Sequence, residues 1–222
     1  MLAFLAVLVG VGCKVSTNLD QVVALEVVLP DGGQLEIGDT LFPRARALNG
    51  HGDTVTSNIF WEALDTAVIA VLDSSTGATL GKAIGSGRVE ALVGLLRSNP
   101  QAITVIPHLD SVLALGPTRD TVSIAADSLS DSLGVQLFSS PPPASNRRVV
   151  FAATTFPAGA PLVTFVPKDT LFSSFSGVAA VRLRLTAGNS PPDSVVVTAT
   201  VQRPDGTPIP GSPVTFVVEY RP

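Results

Sequence analysis

The sequence is poor in the residues that carry most enzyme and metal chemistry. Its 222 residues include one Cys, one Met, one Trp, one Tyr and two His. A single Cys excludes an internal disulfide. One Cys and two His also cannot supply the four nitrogen and sulfur ligands of a structural zinc site. We therefore expect neither a resident metal nor another cofactor.

Charge and long hydrophobic runs are also scarce. Charged residues make up 14% of the chain, well below the ~25% typical of soluble domains. The net charge of -4 leaves no basic footprint for nucleic acid. No apolar run reaches the ~18 residues that a transmembrane helix requires. A hydrophobic content of 45% is too high for an intrinsically disordered chain.

The first residues carry the most informative local pattern. Residues 1–12 are uncharged and almost entirely apolar, and they end abruptly at Cys13 and Lys14. Twelve apolar residues match the hydrophobic region of a secretory signal peptide. The alternative is a buried N-terminal strand or short helix. Cys13 is either a processed residue or a free thiol, although a redox role normally needs a second Cys nearby.

The residues Gly10-Val11-Gly12-Cys13 resemble the lipobox of a bacterial lipoprotein signal. The resemblance implies cleavage before Cys13, a diacylglycerol thioether on its sulfur and acylation of the new N-terminus. Lys14 stands where an inner-membrane retention signal has Asp, which implies the outer membrane where the cell has one. We expect a signal peptide at 1–12, a lipidated tether at 13–20, and an exported protein held on a membrane through Cys13.

Beyond the tether the hydrophobic pattern has the period of β-strands. Apolar residues alternate with polar ones in short segments separated by turn residues, which predicts antiparallel sheets with one buried face. Residues 203–213 are predicted to form a long hairpin turn. The residues predicted to share a buried face within each segment are Val23, Leu25, Val27 and Leu29; Val89, Ala91 and Val93; Val181, Leu183 and Leu185; Val195, Val197, Ala199 and Val201; and Val214, Phe216, Val218 and Tyr220.

A break at Pro107-His108 divides the chain into 21–107 and 108–222. Each part is close to the ~100 residues of a seven-strand sandwich. The pattern predicts an all-β protein of two tandem antiparallel β-sandwiches.

Two sets of segments carry a family resemblance. They are 25–30, 35–40, 59–62, 68–73 with 76–77, 85–91 and 102–105 in the first half, and 177–183, 193–199 and 206–216 in the second. The first set resembles a bacterial immunoglobulin-like domain of group 2 over residues 23–106, and the second more loosely resembles the immunoglobulin-like domains of bacterial adhesins. Trp61 occupies the position of the first family's core Trp, which implies burial rather than a sugar-binding platform. Together the resemblances imply two tandem immunoglobulin-like antiparallel β-sandwiches.

Candidate chemical groups are few and isolated. His51 and His108 are predicted to be exposed loop residues without a catalytic partner. The stretch from Asp127 to Asp131 comes closest to a calcium loop, but it lacks the glycine and the terminal Glu, so turn capping is the favoured interpretation. Tyr220 receives no assignment. Core packing is predicted, with surface anchoring as the alternative, for Phe138, Phe151, Phe156, Phe165, Phe172 and Phe175.

Together these features predict a non-enzymatic cell-envelope lipoprotein that serves as a surface scaffold or adhesion module. Its expected partners are the membrane, through the lipid on Cys13, and a protein or glycan at the cell surface. One alternative is an accessory subunit of a larger envelope assembly, whose sheet edges are completed by another chain's strand. A carbohydrate-binding module is a further alternative.

Overall fold

A computed structural model describes residues 18–123, 129–158, 163–185 and 192–221. These residues form twenty β-strands and one 3-10 turn, with no α-helix among them. Accordingly, no described helix is long and apolar enough to cross a bilayer. The predicted all-β class is confirmed. Cys13, the predicted signal peptide 1–12 and residues 13–17 of the predicted tether lie outside the described residues.

The first half contains eleven strands in three sheets, β1-β4-β5, β10-β9-β11-β2 with β6 also paired to β9, and β3-β8-β7. Its elements are β1 (Val22–Val28), the 3-10 turn (Pro30–Gly33), β2 (Gln34–Glu36), β3 (Thr40–Leu41), β4 (Arg44–Asn49), β5 (Thr54–Val55), β6 (Phe60–Ala63), β7 (Ile69–Asp73), β8 (Ala78–Gly81), β9 (Gly85–Val93), β10 (Leu96–Arg97) and β11 (Gln101–Ile106).

One hydrophobic cluster lies inside these sheets. Trp61 belongs to it and has only 6% of its surface exposed, which confirms the predicted burial. Gly77 lies directly against the Trp61 ring, where any side chain would collide with the indole. The other buried members are Leu35, Leu41, Ile69, Val89, Ala91, Ile103 and Val105.

The second half contains nine strands in two sheets, β12-β14-β18-β16 and β13-β20-β19-β15-β17, which enclose a second hydrophobic cluster. Its strands are β12 (His108–Leu115), β13 (Arg119–Ser123), β14 (Leu133–Ser140), β15 (Arg148–Phe156), β16 (Val163–Val166), β17 (Thr170–Phe172), β18 (Val178–Leu185), β19 (Ser194–Val201) and β20 (Val214–Arg221). The chain thus folds into two tandem β-sandwiches, called here the first and second sandwich.

The predicted alternation holds well in the second sandwich. Along β18, β19 and β20 the predicted inward positions are buried and pack into one core. Strands β19 and β20 pair antiparallel across residues 203–213, which confirms the predicted hairpin.

The alternation fails at the start of β1. Val23 was predicted to face the core with Leu25 and Val27, but it is exposed. The pairing of β1 with β4 shifts register between Val22 and Ala24, which marks a β-bulge. A bulge adds one residue to one strand and so reverses the facing of the side chains before it.

The prediction for the phenylalanines is wrong at four positions. Phe151 is buried, and its ring lies 6.3 Å from that of the half-buried Phe165. The remaining four, however, are exposed: Phe138, Phe156, Phe172 and Phe175. Phe138, for example, alternates with Leu137 on β14, and Leu137 takes the inward position.

Each sandwich contains one parallel strand pair in an otherwise antiparallel arrangement. In the first, β2 runs parallel to β11 and brings Glu36 opposite Ile106. In the second, β13 runs parallel to β20. Because β11 ends at Ile106 and β12 begins at His108, only Pro107 lies between the strands of the two sandwiches. The β2 pairing therefore places Glu36 at this junction.

Candidate functional site

Glu36 is the centre of a cluster of charged side chains at the junction. It ends β2, and its side chain has 0% of its surface exposed. Its Oε2 atom lies 3.0 Å from His108 Nδ1 and accepts a hydrogen bond from the Leu109 amide at 3.1 Å. Both partners belong to β12, the first strand of the second sandwich. A carboxylate of the first sandwich thus accepts a hydrogen bond from the backbone of the second.

Arg147 supplies the first buried positive charge. Its Nη2 atom lies 3.0 Å from Glu36 Oε1, in an ion pair without hydrogen-bond geometry, and donates a hydrogen bond to the Pro107 carbonyl. Its backbone is held in turn by Ser173, whose hydroxyl accepts from the Arg147 amide at 2.9 Å and donates to Ala144 at 2.6 Å. The backbone and the guanidinium of Arg147 are therefore both held by contacts other than the one with Glu36.

Arg203 and His108 complete the cluster. Arg203 Nε lies 3.4 Å from Glu36 Oε2, and Arg203 Nη2 donates to the Leu109 carbonyl at 3.2 Å. The same Nη2 atom lies 3.1 Å from His108 Nε2. A guanidinium only donates, so His108 Nε2 is the acceptor in this contact. The His108 ring therefore lies between Arg203, near Nε2, and Glu36, whose Oε2 is 3.0 Å from Nδ1.

The electrostatics of the cluster are those of a buried ion pair. Burial lowers the pKa of the Arg147 guanidinium from its ordinary value, while the charge of Glu36 acts in the opposite direction. Removing one partner from such a pair leaves an uncompensated buried charge, which is strongly destabilising. Since donors and cations already surround Glu36, this carboxylate is suited to holding two surfaces together.

The cluster contains three side chains of the kind that bind metal ions. Ligand atoms of Glu36, Asp39 and His108 lie within 4.8 Å of one another. Two guanidinium groups already face the same carboxylate, and a divalent cation there would meet their charge at close range. The positive charge that balances Glu36 is thus supplied by Arg147 and Arg203.

Two grooves flank the cluster, separated by the loop after β19. The larger, about 650 Å³, lies between the first sandwich and Pro204 and Asp205 of that loop. The smaller, about 390 Å³, lies on the side of Arg147 and Arg203. The loop is held on the second sandwich because the Val112 amide donates to the Pro210 carbonyl at 3.0 Å.

The candidate residues from the sequence have different outcomes. Cys13 lies outside the described residues, as does Asp127. His51 is exposed in the turn after β4, as predicted. His108 was predicted to be an exposed residue without a partner, and this is wrong, because it contacts both Glu36 and Arg203. Asp131 is exposed, and its amide donates to Asp120.

The residues that build the cluster were missed from the sequence. Glu36, Arg147 and Arg203 come from three distant segments, and none belongs to a recognisable motif. The one available signal was a charged residue flanked by Leu35 and Ile37 in a chain with little charge. That signal identifies a candidate buried carboxylate but not its partners.

Comparison with known proteins gives fold-level similarity only. No protein-family model and no curated protein matches the chain. The adhesin InvE of Yersinia pseudotuberculosis matches 90% of this chain at 16% identity and a TM-score of 0.42, and the matched part is 60% of InvE. The fibronectin(III)-like modules of Clostridium thermocellum CbhA match 88% of this chain and 94% of theirs at 13% identity and 0.43. Domains 4 and 5 of the S-layer protein SbsC match 91% of this chain and 100% of their own length, at 13% identity and a TM-score of 0.35. These similarities carry no information about what the chain binds.

Proposed function

We propose that the chain is an exported, non-enzymatic cell-envelope lipoprotein, anchored through a lipid on Cys13. In this proposal its two sandwiches, 21–107 and 108–222, act as a stiff scaffold or adhesion module. The observation that carries the proposal is the junction, where Pro107 is the only linking residue and buried Glu36 is clamped by Arg147 and Arg203.

A surface scaffold must keep a fixed angle between its domains. Domains in tandem move relative to one another unless a large or specific interface prevents it. Here the buried charge of Glu36 loses its partners whenever the sandwiches separate. Bending at the junction therefore leaves a carboxylate without its counter-charges, which costs free energy. A fixed angle between the sandwiches would hold a binding surface at a constant distance and direction from the membrane.

The described residues support a binding role over catalysis. His51 stands alone in an exposed turn, and His108 is engaged with Glu36 and Arg203. Nucleophilic catalysis needs a base within hydrogen-bond reach of a nucleophile, and neither His has such a neighbour among its described contacts. Trp61 and Tyr220 are both buried, so a sugar platform of the usual Trp or Tyr type has no support.

The anchor is tested by metabolic labelling with a radioactive fatty acid. The intact chain should incorporate the label and sediment with membranes. The Cys13→Ser variant should lose both. Equal labelling of the two proteins would contradict lipid attachment at this position.

Adhesion is tested with the unacylated chain from Cys13 onward, which retains every described residue. We expect it to bind whole cells, glycans or matrix proteins in a saturable manner. An absence of binding to all three classes, with the protein folded by circular dichroism, would contradict an adhesive role while leaving the anchor untouched.

A second candidate function, an accessory subunit of an envelope assembly, is favoured by one surface. Strand β12 lies at the edge of its sheet, and the outer face there exposes Leu113, Leu115 and Phe138. Apolar groups on a sheet edge are typical of faces that another chain covers. This role predicts a partner that co-purifies with the intact chain and is lost from a Leu113→Ser, Phe138→Ser double variant. A matched change on the other sheet, Thr198→Ser, should retain it.

A further inference from the structure

The end of the first sandwich farthest from the junction exposes a group of large apolar side chains. We call this end the N-terminal pole and define its apolar group as Leu19, Val23, Phe60 and Leu95. Leu95 is fully exposed at the tip of the β9–β10 hairpin. Leu19 lies beside Gly50, whose amide donates to the Leu19 carbonyl at 2.7 Å.

Strand register places the hairpin tip at this pole. In the β9–β11 pair, Gly85 lies opposite Val105, beside the junction, and β9 then runs away from it to Val93. At about 3.3 Å per residue, that run carries the hairpin roughly 26 Å from the junction. Phe60 pairs with Leu92 on the same strand and so lies near the same end.

Strand β1 brings the chain's N-terminal side to the same pole. Its end at Val28 lines the larger groove together with Pro204 of the second sandwich, so that end is close to the junction. Its start at Val22 pairs with Asn49, at the opposite end of the strand. Strand β1 also packs against β9 and β10. Leu19 and Val23 therefore share the pole with Leu95.

Single exposed apolar residues are common on soluble proteins and need no explanation. The position of this group relative to the predicted lipid does call for one. Five peptide steps separate Cys13 from Asn18, the first described residue. Even a fully extended chain covers at most ~18 Å in that distance. A lipid on Cys13 would therefore confine the N-terminal pole to the immediate neighbourhood of the bilayer.

We propose that the N-terminal pole seats on the lipid bilayer, with the Leu95 hairpin tip entering the headgroup region. This inference rests on the proposed lipid anchor at Cys13. The contact with the bilayer would be made by apolar side chains. Because Asp20 and Asp53 are exposed beside them, the pole is not suited to an anionic membrane surface. This contact adds a defined orientation to attachment at a single residue, with the second sandwich pointing away from the membrane.

The test imposes the anchor chemically, so that it does not depend on natural lipidation. Cys13 is the only cysteine, and the chain from Cys13 onward can be coupled there to neutral phosphatidylcholine vesicles that carry a maleimide lipid. A Leu95→Trp variant reports on the pole, after subtraction of the emission from the unsubstituted chain, whose Trp61 is buried. We expect its emission to shift to shorter wavelength on the vesicles and to be quenched by nitroxide-labelled lipid.

The matched control is Leu115→Trp, at an exposed leucine at the far end of β12 in the second sandwich. Its emission and quenching should not change on coupling. Equal behaviour of the two variants, or no shift at Leu95→Trp, would overturn the seat. Dimerisation without lipid that a Leu95→Ser change abolishes would assign the pole to protein contact and also overturn it. Failure of fatty-acid labelling in cells, by contrast, would count against natural anchoring alone.

Discussion

A carboxylate without exposed surface is stable only where cations and hydrogen-bond donors surround it. Glu36 meets that condition through residues of the other sandwich: Arg147, Arg203, His108 and the Leu109 amide. Its partners on the second sandwich are themselves held by Ser173, Pro107 and Leu109. At the residue scale, then, the junction depends on one side chain more than on any other described contact.

Replacing Glu36 by Gln keeps the shape of the side chain but removes its charge. Arg147 and Arg203 then face each other's charge in a buried site without an anion, and we expect a loss of about 3 kcal/mol in the free energy of unfolding. The matched control is Glu26→Gln, which breaks the exposed pair with Arg46 and should cost less than ~1 kcal/mol. Thermal and denaturant unfolding measure both. Equal losses would contradict the central role of Glu36.

Tyr220 provides a pH-dependent test of the second core. Burial, assisted by the charge of Asp120, raises the pKa of Tyr220 to about 12, and its hydroxyl has no hydrogen-bond partner among the described residues. An unfolded tyrosine has a pKa of ~10. The folded state therefore keeps its proton between these values while the unfolded state loses it. The protonated Tyr220 hydroxyl therefore contributes to the free energy of unfolding. This contribution, about 3 kcal/mol, is fully present below about pH 10 and is lost as the pH rises through 12.

The chain has one Tyr, so tyrosinate absorbance in the ultraviolet reports this ionisation directly. We expect the folded protein to titrate well above the unfolded protein. A Tyr220→Phe variant should lack this part of the alkaline destabilisation. A tyrosine that titrates at its ordinary value in the folded protein would show that the hydroxyl is not buried.

At the scale of elements, the loop 203–213 connects the second core to the junction. Arg203 stands at its start, and Pro210 receives the Val112 amide near its end. Gly206 and Gly211 both adopt positive φ, at 83° and 85°. A side chain at Gly206 would meet nothing within 4 Å, whereas one at Gly211 would overlap the Val112 carbonyl oxygen.

This pair of glycines separates backbone strain from docking of the loop. Gly206→Ala should cost only the ~1–2 kcal/mol of placing alanine in the left-handed region. Gly211→Ala carries the same strain and must also lift the loop from β12, so its loss of stability should be clearly larger. Unfolding measurements on the two variants decide the matter, and a loss at Gly211→Ala no greater than at Gly206→Ala would mean that the loop does not dock as described.

The sequence predicted these elements well where alternation is regular, as along β18, β19 and β20. It failed where a local irregularity changed the phase, as at Val23, because a bulge leaves no mark in the hydrophobic pattern. It also failed at Phe138, where hydrophobicity alone favoured the core although Leu137 already held the inward position. Hydrophobicity indicates which residues are favoured in the core, but the alternation of side chains along each strand decides which of them face inward.

At the scale of the whole molecule, the candidate site was beyond the reach of sequence patterns. Charged partners in a folded protein are set by tertiary packing, and Glu36 meets Arg147 and Arg203 only after both sandwiches have formed. The break at Pro107-His108 was predicted from strand endings alone, and as a domain boundary it stays a prediction. The charged cluster beside it could not be predicted, because no local period or motif connects the three segments.

We expect the Glu36 cluster to hold the two sandwiches in one orientation. Pulsed electron paramagnetic resonance between spin labels at Thr54→Cys and Ala152→Cys, in a Cys13→Ser background, tests it most directly, since both sites are exposed and lie on different sandwiches. We predict one narrow distance distribution for the otherwise intact chain, a broad one after Glu36→Gln, and no change after Glu26→Gln. A distribution that is already broad with Glu36 present, or equally narrow without its charge, would contradict the claim.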